Sequence, residues 1–220
     1  AELSVEDWHE WDNNDDSARN QRIVAFFKQA ETAQRPQHMF RWDHVAPDQI
    51  KSALAHGKPE WRDEFQEPML DDPRAYDCLS DYPFPMMPLW QRPWIKALIV
   101  KDYPVEYRVF VRDGTVIGVS NYYPQRSLFG ELREAEARSA GQLTSRLLAA
   151  IEPPMLLPEW LGLDLTKAQC TCDFILTERG QLLFLEGGPP HLPQWGAHPC
   201  CFEGCDIAGV ALRSLYDAPA

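Results

Sequence analysis

Two acidic residues, Asp173 and Glu186, stand on apolar stretches at a spacing that suits a metal ion. The segment from Cys170 to Pro189 reads as two strands joined at Arg179-Gly180. With a two-residue turn, Glu178 pairs with Gln181, and counting back sets Asp173 opposite Glu186. Cross-strand partners have Cβ atoms about 4.5–5.5 Å apart, and like charges placed so repel. A bound divalent cation resolves the repulsion, and Mg²⁺ suits one or two carboxylates plus phosphate oxygens. A turn one residue longer would instead direct both carboxylates to water. Gly187-Gly188-Pro189-Pro190 follows Glu186 and leaves room for a ligand beside it.

A second set of polar groups lies on an earlier hairpin. Asp113-Gly114 is a type I′ turn signal between runs of β-branched and aromatic residues. Val105, Tyr107, Val109 and Val111 make one face of the first strand, and Glu106, Arg108, Phe110 and Arg112 the other. A two-residue turn pairs Arg112 with Thr115, Arg108 with Val119 and Glu106 with Asn121. Glu106, Arg108 and Asn121 then share a face. That face is either a charged site or a solvated surface whose ion pair contributes little.

These strands need elements to hold them. Residues 1–16 are acidic and polar, expected to be loosely packed or edge structure. A helix is expected from Ser17, its N-cap, to about Thr32, with Ile23, Val24, Phe26, Phe27 and Ala30 as its apolar stripe. Residues 38–42 read as a short strand and 47–57 as a helix with Pro47 in its first turn and Gly57 past its end. Prolines throughout 58–93 argue against a long helix or a central strand there, and the dense aromatics of that stretch pack on one another or wall a cleft. A long helix is expected over 131–150, a connection or short helix over 155–167, and a terminal helix over 206–216.

The chain of 220 residues can form one generous domain or two small lobes. Its net charge of −12 argues against nucleic acid and against anionic membrane surfaces. The longest apolar run is Ala97–Val100, far short of a membrane span of about 20 residues. The first residues show no signal-peptide pattern, so a soluble, cytoplasmic protein is expected. The six cysteines suit small buried hydrophobes in a reducing compartment. The run His198–Cys205 offers an alternative zinc site, without a clean C-x₂-C pair. No glycine-rich P-loop motif is present.

In order, these features resemble the ATP-grasp superfamily. The closest likeness is to the eukaryotic cell-division-cycle ATP-grasp family that helps assemble translation initiation factor two, with its bacterial and phage relatives. A prokaryotic clade defined by one arginine and two lysines is similar too. The likeness spans about residues 38–205. It is carried by Glu106-Tyr-Arg-Val-Phe-Val-Arg-Asp-Gly114, by Arg41-Trp-Asp-His-Val-Ala-Pro47 against Lys-Leu-Asn-Trp-Ser-Ala-Pro, by Arg92-Pro-Trp-Ile-Lys96 at a hinge, and by Glu186-Gly-Gly-Pro189 against Asp-Phe-Asn-Pro. The resemblance implies an α+β, ATP-grasp-like fold of two lobes, with antiparallel sheets and flanking helices around a nucleotide cleft. The N-terminal lobe would be 1–93 and the C-terminal lobe 94–220.

The resemblance also implies a site for ATP and Mg²⁺. Arg41 would meet phosphate, as arginine does in a bidentate way. The backbone of Trp94, Ile95, Lys96 and Ala97 would face the adenine edge. Lys96 and Lys101 are candidate phosphate lysines; an odd separation keeps both from facing the cleft on a continuous strand. Glu106 belongs to the Glu-x-Arg strand of the nucleotide site. Arg108 would be catalytic, meeting the γ-phosphate or an acyl-phosphate, and Asp173 and Glu186 would hold Mg²⁺. One departure stands out: Gly188 occupies the position of the family's asparagine ligand. Water or His191 would complete the shell, or metal binding would be weakened. The implied activity is ATP-dependent joining of a carboxylate to an amine through an acyl-phosphate, on a small-molecule or peptide substrate. The alternative is an ATP-binding assembly factor without turnover, whose acidic surface suits a basic protein partner.

Overall fold

The computed structural model describes residues 2–9, 17–42, 45–46, 50–51, 69, 84–100, 103–122, 134–151 and 162–190. The chain divides into two compact units, Ala1–Ile95 and Lys96–Ala220.

In the first unit, β1 (Glu2–Ser4), α1 (Val5–His9), α2 (Ala18–Thr32), β2 (His38–Trp42) and β3 (Met86–Pro93) follow in order. The Ser17 hydroxyl accepts a hydrogen bond from the Asn20 N–H and so caps α2. Ile23, Phe27 and Ala30 recur at helical spacing and are buried. Phe26 stacks on the Trp42 ring at 6.3 Å, and Phe27 meets it edge-on at 6.1 Å. Residues 2–9 are packed, with β1 an edge strand as the sequence allowed: Leu3 and Trp8 enter the core, and Asp7 pairs with Arg22 of α2 at 2.6 Å.

The three-stranded sheet has the order β1-β3-β2, which places a strand where the prolines argued against one. β3 is central, yet each half has a single neighbour. Met86–Pro88 pair with β1, and Leu89–Pro93 pair with β2 on the other side. Pro88 sits where the partner changes and Pro93 at the last pair. Each half therefore behaves as an edge, where a missing N–H is tolerated.

The second unit contains β4 (Ile99–Val100), β5 (Tyr103–Pro104), β6 (Glu106–Arg112), β7 (Thr115–Asn121), α3 (Glu134–Ala150), β8 (Cys170–Leu176) and β9 (Leu182–Gly188). Its four-stranded antiparallel sheet has the order β7-β6-β8-β9, so the inner strands of the two hairpins pair with each other. Tyr107, Val109, Val111, Cys172, Phe174 and Leu176 form a core with Ala137 and Ala140 of α3. The opposite face is buried too, at Phe110, Ser120, Thr171 and Ile175. Asp113 and Gly114 both have positive φ, 50° and 73°, as a type I′ turn requires. Gln169 clamps that turn, accepting from the Asp113 N–H and donating to its carboxylate at 2.7 Å.

Both edge strands carry a bulge; the one on β7 alters the expected register and the one on β9 restores it. On β7, Val111 pairs with Val116 but Phe110 pairs with Gly118, leaving Ile117 as the extra residue. Val116 and Val119 therefore both reach the core under α3, which strict alternation forbids. Arg108 faces Ser120 instead of Val119, and Asn121 pairs with Tyr107 instead of Glu106. On β9, the turn is one residue longer than a two-residue loop, since Leu176 pairs with Leu182. A bulge at Leu185 then restores the count, and Asp173 still pairs with Glu186.

The expected helices over 47–57 and 206–216, most of the aromatic stretch, Lys101, His191 and the His198–Cys205 run lie outside the described residues. Cys170 and Cys172 are free thiols, with Cys172 in the core and Cys170 packed against it. Among the described residues no helix is long and apolar enough to cross a membrane.

Candidate functional site

The register of the four strands sets one row of side chains across the second sheet. Ser120, Arg108, Asp173 and Glu186 are successive cross-strand partners on the face away from α3. The next row is Gly118, Phe110, Thr171 and Gly188. Cross-strand partners share a face, so each row brings its side chains together.

Arg108 grips Asp173 with two parallel hydrogen bonds. Nε donates to Oδ1 at 2.8 Å and Nη2 to Oδ2 at 2.7 Å. Such a fork-to-fork pair is among the stronger contacts available to a carboxylate. The two side chains are only 14 % and 5 % exposed, so water screens the pair weakly. Below the guanidinium lies the Tyr122 ring, with its centroid 4.6 Å from Cζ. Tyr122 holds this place because of the β7 bulge, and its N–H donates to the Glu106 carbonyl. Burial holds the Asp173 carboxyl above its ordinary range, Arg108 opposes this, and the charge of Glu186 adds to the rise.

The carboxylate oxygens of the row are donors of the kind a hard divalent cation takes. Two carboxylates and one guanidinium stand in this row. Each Asp173 oxygen uses one lone pair on Arg108 and retains another. The donors are all oxygen, as Mg²⁺ prefers. Among the described residues no group of three or more His, Cys, Asp or Glu gathers at one point.

The other candidate residues fall as follows. Arg41 is buried on β2, in register with Trp90, and its Nε donates to the Trp42 carbonyl at 3.1 Å. The Trp94 N–H donates to the Gln37 carbonyl at 2.7 Å, and Ile95 ends the first unit. In the second unit, the Lys96 carbonyl accepts from the Glu178 N–H, and the Leu98 N–H donates to the Leu176 carbonyl. Between them Ala97 forms a bridge with Thr177, whose N–H is directed instead to Gln181. Antiparallel alternation therefore points the Ala97 N–H and C=O away from β8. The Lys96 side chain is exposed, and Glu106 is half-buried beside Arg108's row.

Gly188 is required by a close approach. A Cβ there would stand 2.7 Å from Thr171 Oγ1, a hydroxyl that donates to the Pro189 carbonyl at 3.2 Å. Tyr122, Ser120 and Thr171 were not among the residues expected at the site. The first two enter through a bulge, which leaves no local mark in the sequence. Thr171 lay two residues before Asp173, on the same face by simple alternation, and that signal was available.

No protein-family model matches the chain, and no curated protein matches it. Solved structures do. A C-terminally truncated Cdc123 from Schizosaccharomyces pombe matches with a TM-score of 0.53 and 11 % identity, over 84 % of this chain and 73 % of that one. Another structure of Cdc123 from the same organism matches with a TM-score of 0.50 and 11 % identity, over 87 % and 74 %. At that identity the likeness is one of fold: a mixed α+β architecture of helices and antiparallel sheets, similar to that of Cdc123.

Proposed function

We propose that the protein is an ATP-grasp protein that binds ATP with Mg²⁺ and uses it to join a carboxylate to an amine. The observation that supports this reading is the row Arg108–Asp173–Glu186, in which a buried Asp173 lies between a half-buried arginine and a half-buried glutamate. Asp173 and Glu186 would hold the cation. When bound, Mg²⁺ supplies charge neutralisation at the phosphates and orients the transferred phosphoryl group. Arg108 would release part of its grip on Asp173 to meet phosphoryl oxygens and stabilise the charge that develops on them. Ala97 would offer its outward N–H and C=O to the adenine edge, with Trp94, Ile95 and Lys96 framing it. Arg41 would contact phosphate, and Lys96 or Lys101 is the candidate phosphate lysine.

Calorimetric titration of ATP, with and without Mg²⁺, into the wild type and Asp173→Asn tests the reading. Binding that needs Mg²⁺ and weakens in the variant is expected; absence of binding in every condition overturns it. Turnover is then tested by release of ADP and phosphate, expected only when a carboxylate and an amine are both supplied.

The fold likeness to Cdc123 favours a second reading, an assembly factor. Nucleotide would then order the protein for a partner with a basic face, matched to a chain of net charge −12. Tight ATP binding with no substrate-dependent ADP release selects this reading over the ligase.

A further inference from the structure

Cys170 and Cys172 stand two residues apart on β8, so their side chains leave the strand on the same face, toward α3. Both are free thiols. Cys172 is buried, Cys170 is half-buried, and a hydrogen bond joins the two sulfurs. A small reagent therefore meets Cys170 first, with a second thiol already in contact behind it. Beside Cys172 on β9 is Gly187, exposed and without a side chain to cover the pair. From α3, the Thr144 hydroxyl comes up to the Cys172 sulfur. Thr144 is wholly buried, and its oxygen makes no well-formed hydrogen bond. A buried donor left idle in a core calls for a reason.

We propose that Cys170 and Cys172 are a peroxide-sensitive dithiol, in which Cys170 is oxidised first and Cys172 closes the disulfide. The Cys170 thiolate attacks one oxygen of hydrogen peroxide. The S–O bond forms, the O–O bond breaks, and the other oxygen leaves as hydroxide and takes up a proton. Cys172 then gives up its proton and attacks the Cys170 sulfur. The S–S bond forms, the S–O bond breaks, and the hydroxide leaves as water. Two thiols lose two electrons and two protons, and one peroxide becomes two waters. The Thr144 hydroxyl donates to the Cys172 sulfur as that sulfur turns anionic. Cα atoms two apart on a strand are about 6.6 Å apart, near the upper end of the 4.4–6.8 Å that a disulfide usually spans. The bond therefore closes under tension and is readily reduced, which makes the oxidation reversible. The inference stands apart from the nucleotide reading.

Trypsin cleaves after Lys167 and Arg179, so both thiols fall in the peptide Ala168–Arg179, which contains no other cysteine. The full chain is treated with hydrogen peroxide, denatured in excess alkylating agent and digested, and the peptide is weighed by mass spectrometry. The expected peptide carries no alkyl group, is two hydrogen atoms lighter than its reduced form, and is restored by dithiothreitol. Cys172→Ser should stop at the sulfenic acid, trapped on Cys170 by dimedone. Cys170→Ser should leave Cys172 reduced and alkylated. Thr144→Val should close the disulfide more slowly, on the order of tenfold, with a longer-lived sulfenic acid. Two alkyl groups on the wild-type peptide after peroxide overturn the proposal, as does a link from it to a different cysteine peptide. A closing rate in Thr144→Val equal to that of the wild type overturns the part given to the hydroxyl. Should a variant fail to fold by circular dichroism, the wild-type peptide alone decides.

Discussion

Arg108 gives Asp173 two hydrogen bonds and one positive charge, and Glu186 brings a second negative charge to the same row. Removing the arginine leaves both carboxylates without that charge. Breaking one partner out of a buried pair costs about 3–5 kcal/mol, so Arg108→Ala is expected to lose that much in urea denaturation. The double variant Arg108→Ala/Asp173→Asn should lose clearly less than the two single losses added together. The pH dependence has a definite sign. With its carboxyl held above the ordinary range, native Asp173 keeps a proton that the unfolded chain has already released. Stability from this group is present in acid and falls as pH rises through the native value. Denaturation at stepped pH should show that fall in the wild type and its absence in Asp173→Asn. An unchanged slope in the variant would assign the titration to another group. The two acidic residues on adjoining apolar strands were legible because the strands are a local property of the sequence. Their grip by Arg108 was not, because it depends on which strands of two separate hairpins lie side by side.

At the scale of elements, the two bulges decide what the hairpins present. Asp173 and Glu186 meet through two offsets that cancel, a longer turn and an extra residue at Leu185. A count that ignored both reached the right pair by the wrong path. On β7 there is no such cancellation, and Tyr122 stands beside Arg108. The prolines of β3 misled for a related reason. Composition shows that a residue lacks an N–H, but not whether a neighbour on that side needs it. The Asp113-Gly114 turn was legible, since two positive φ angles demand such a dipeptide. A Cβ at Gly114 meets nothing within 4 Å, so only backbone strain opposes a substitution. Gly114→Ala should therefore cost about 1–2 kcal/mol. Gly114→Asn should cost less, because asparagine enters the left-handed region more readily. Thermal melts of the two variants check the order; equal losses would point to a contact rather than to strain.

For the whole molecule, the single helices and hairpins were legible because each is specified by nearby residues, whereas the α+β class was reached through the family resemblance. The β7-β6-β8-β9 order has a consequence for how the chain folds. Each hairpin closes on itself over a short stretch, and such closures take microseconds. The seam between β6 and β8 joins residues far apart in sequence; Arg108 and Asp173 are separated by 65 positions. Closing so long a loop costs entropy before any contact across it forms. The seam should then assemble after the barrier, with hairpins already present and the ion pair added last. Stopped-flow measurements on Arg108→Ala should find folding nearly as fast as in the wild type. Unfolding should be faster by about a hundredfold or more, as expected when 3–5 kcal/mol is lost from contacts absent at the transition state. A matching fall in the folding rate would instead put the seam in the nucleus. On the expected order, the Arg108–Asp173 bond is also what keeps the two hairpins from parting, and a single side-chain pair sets the lifetime of the folded sheet.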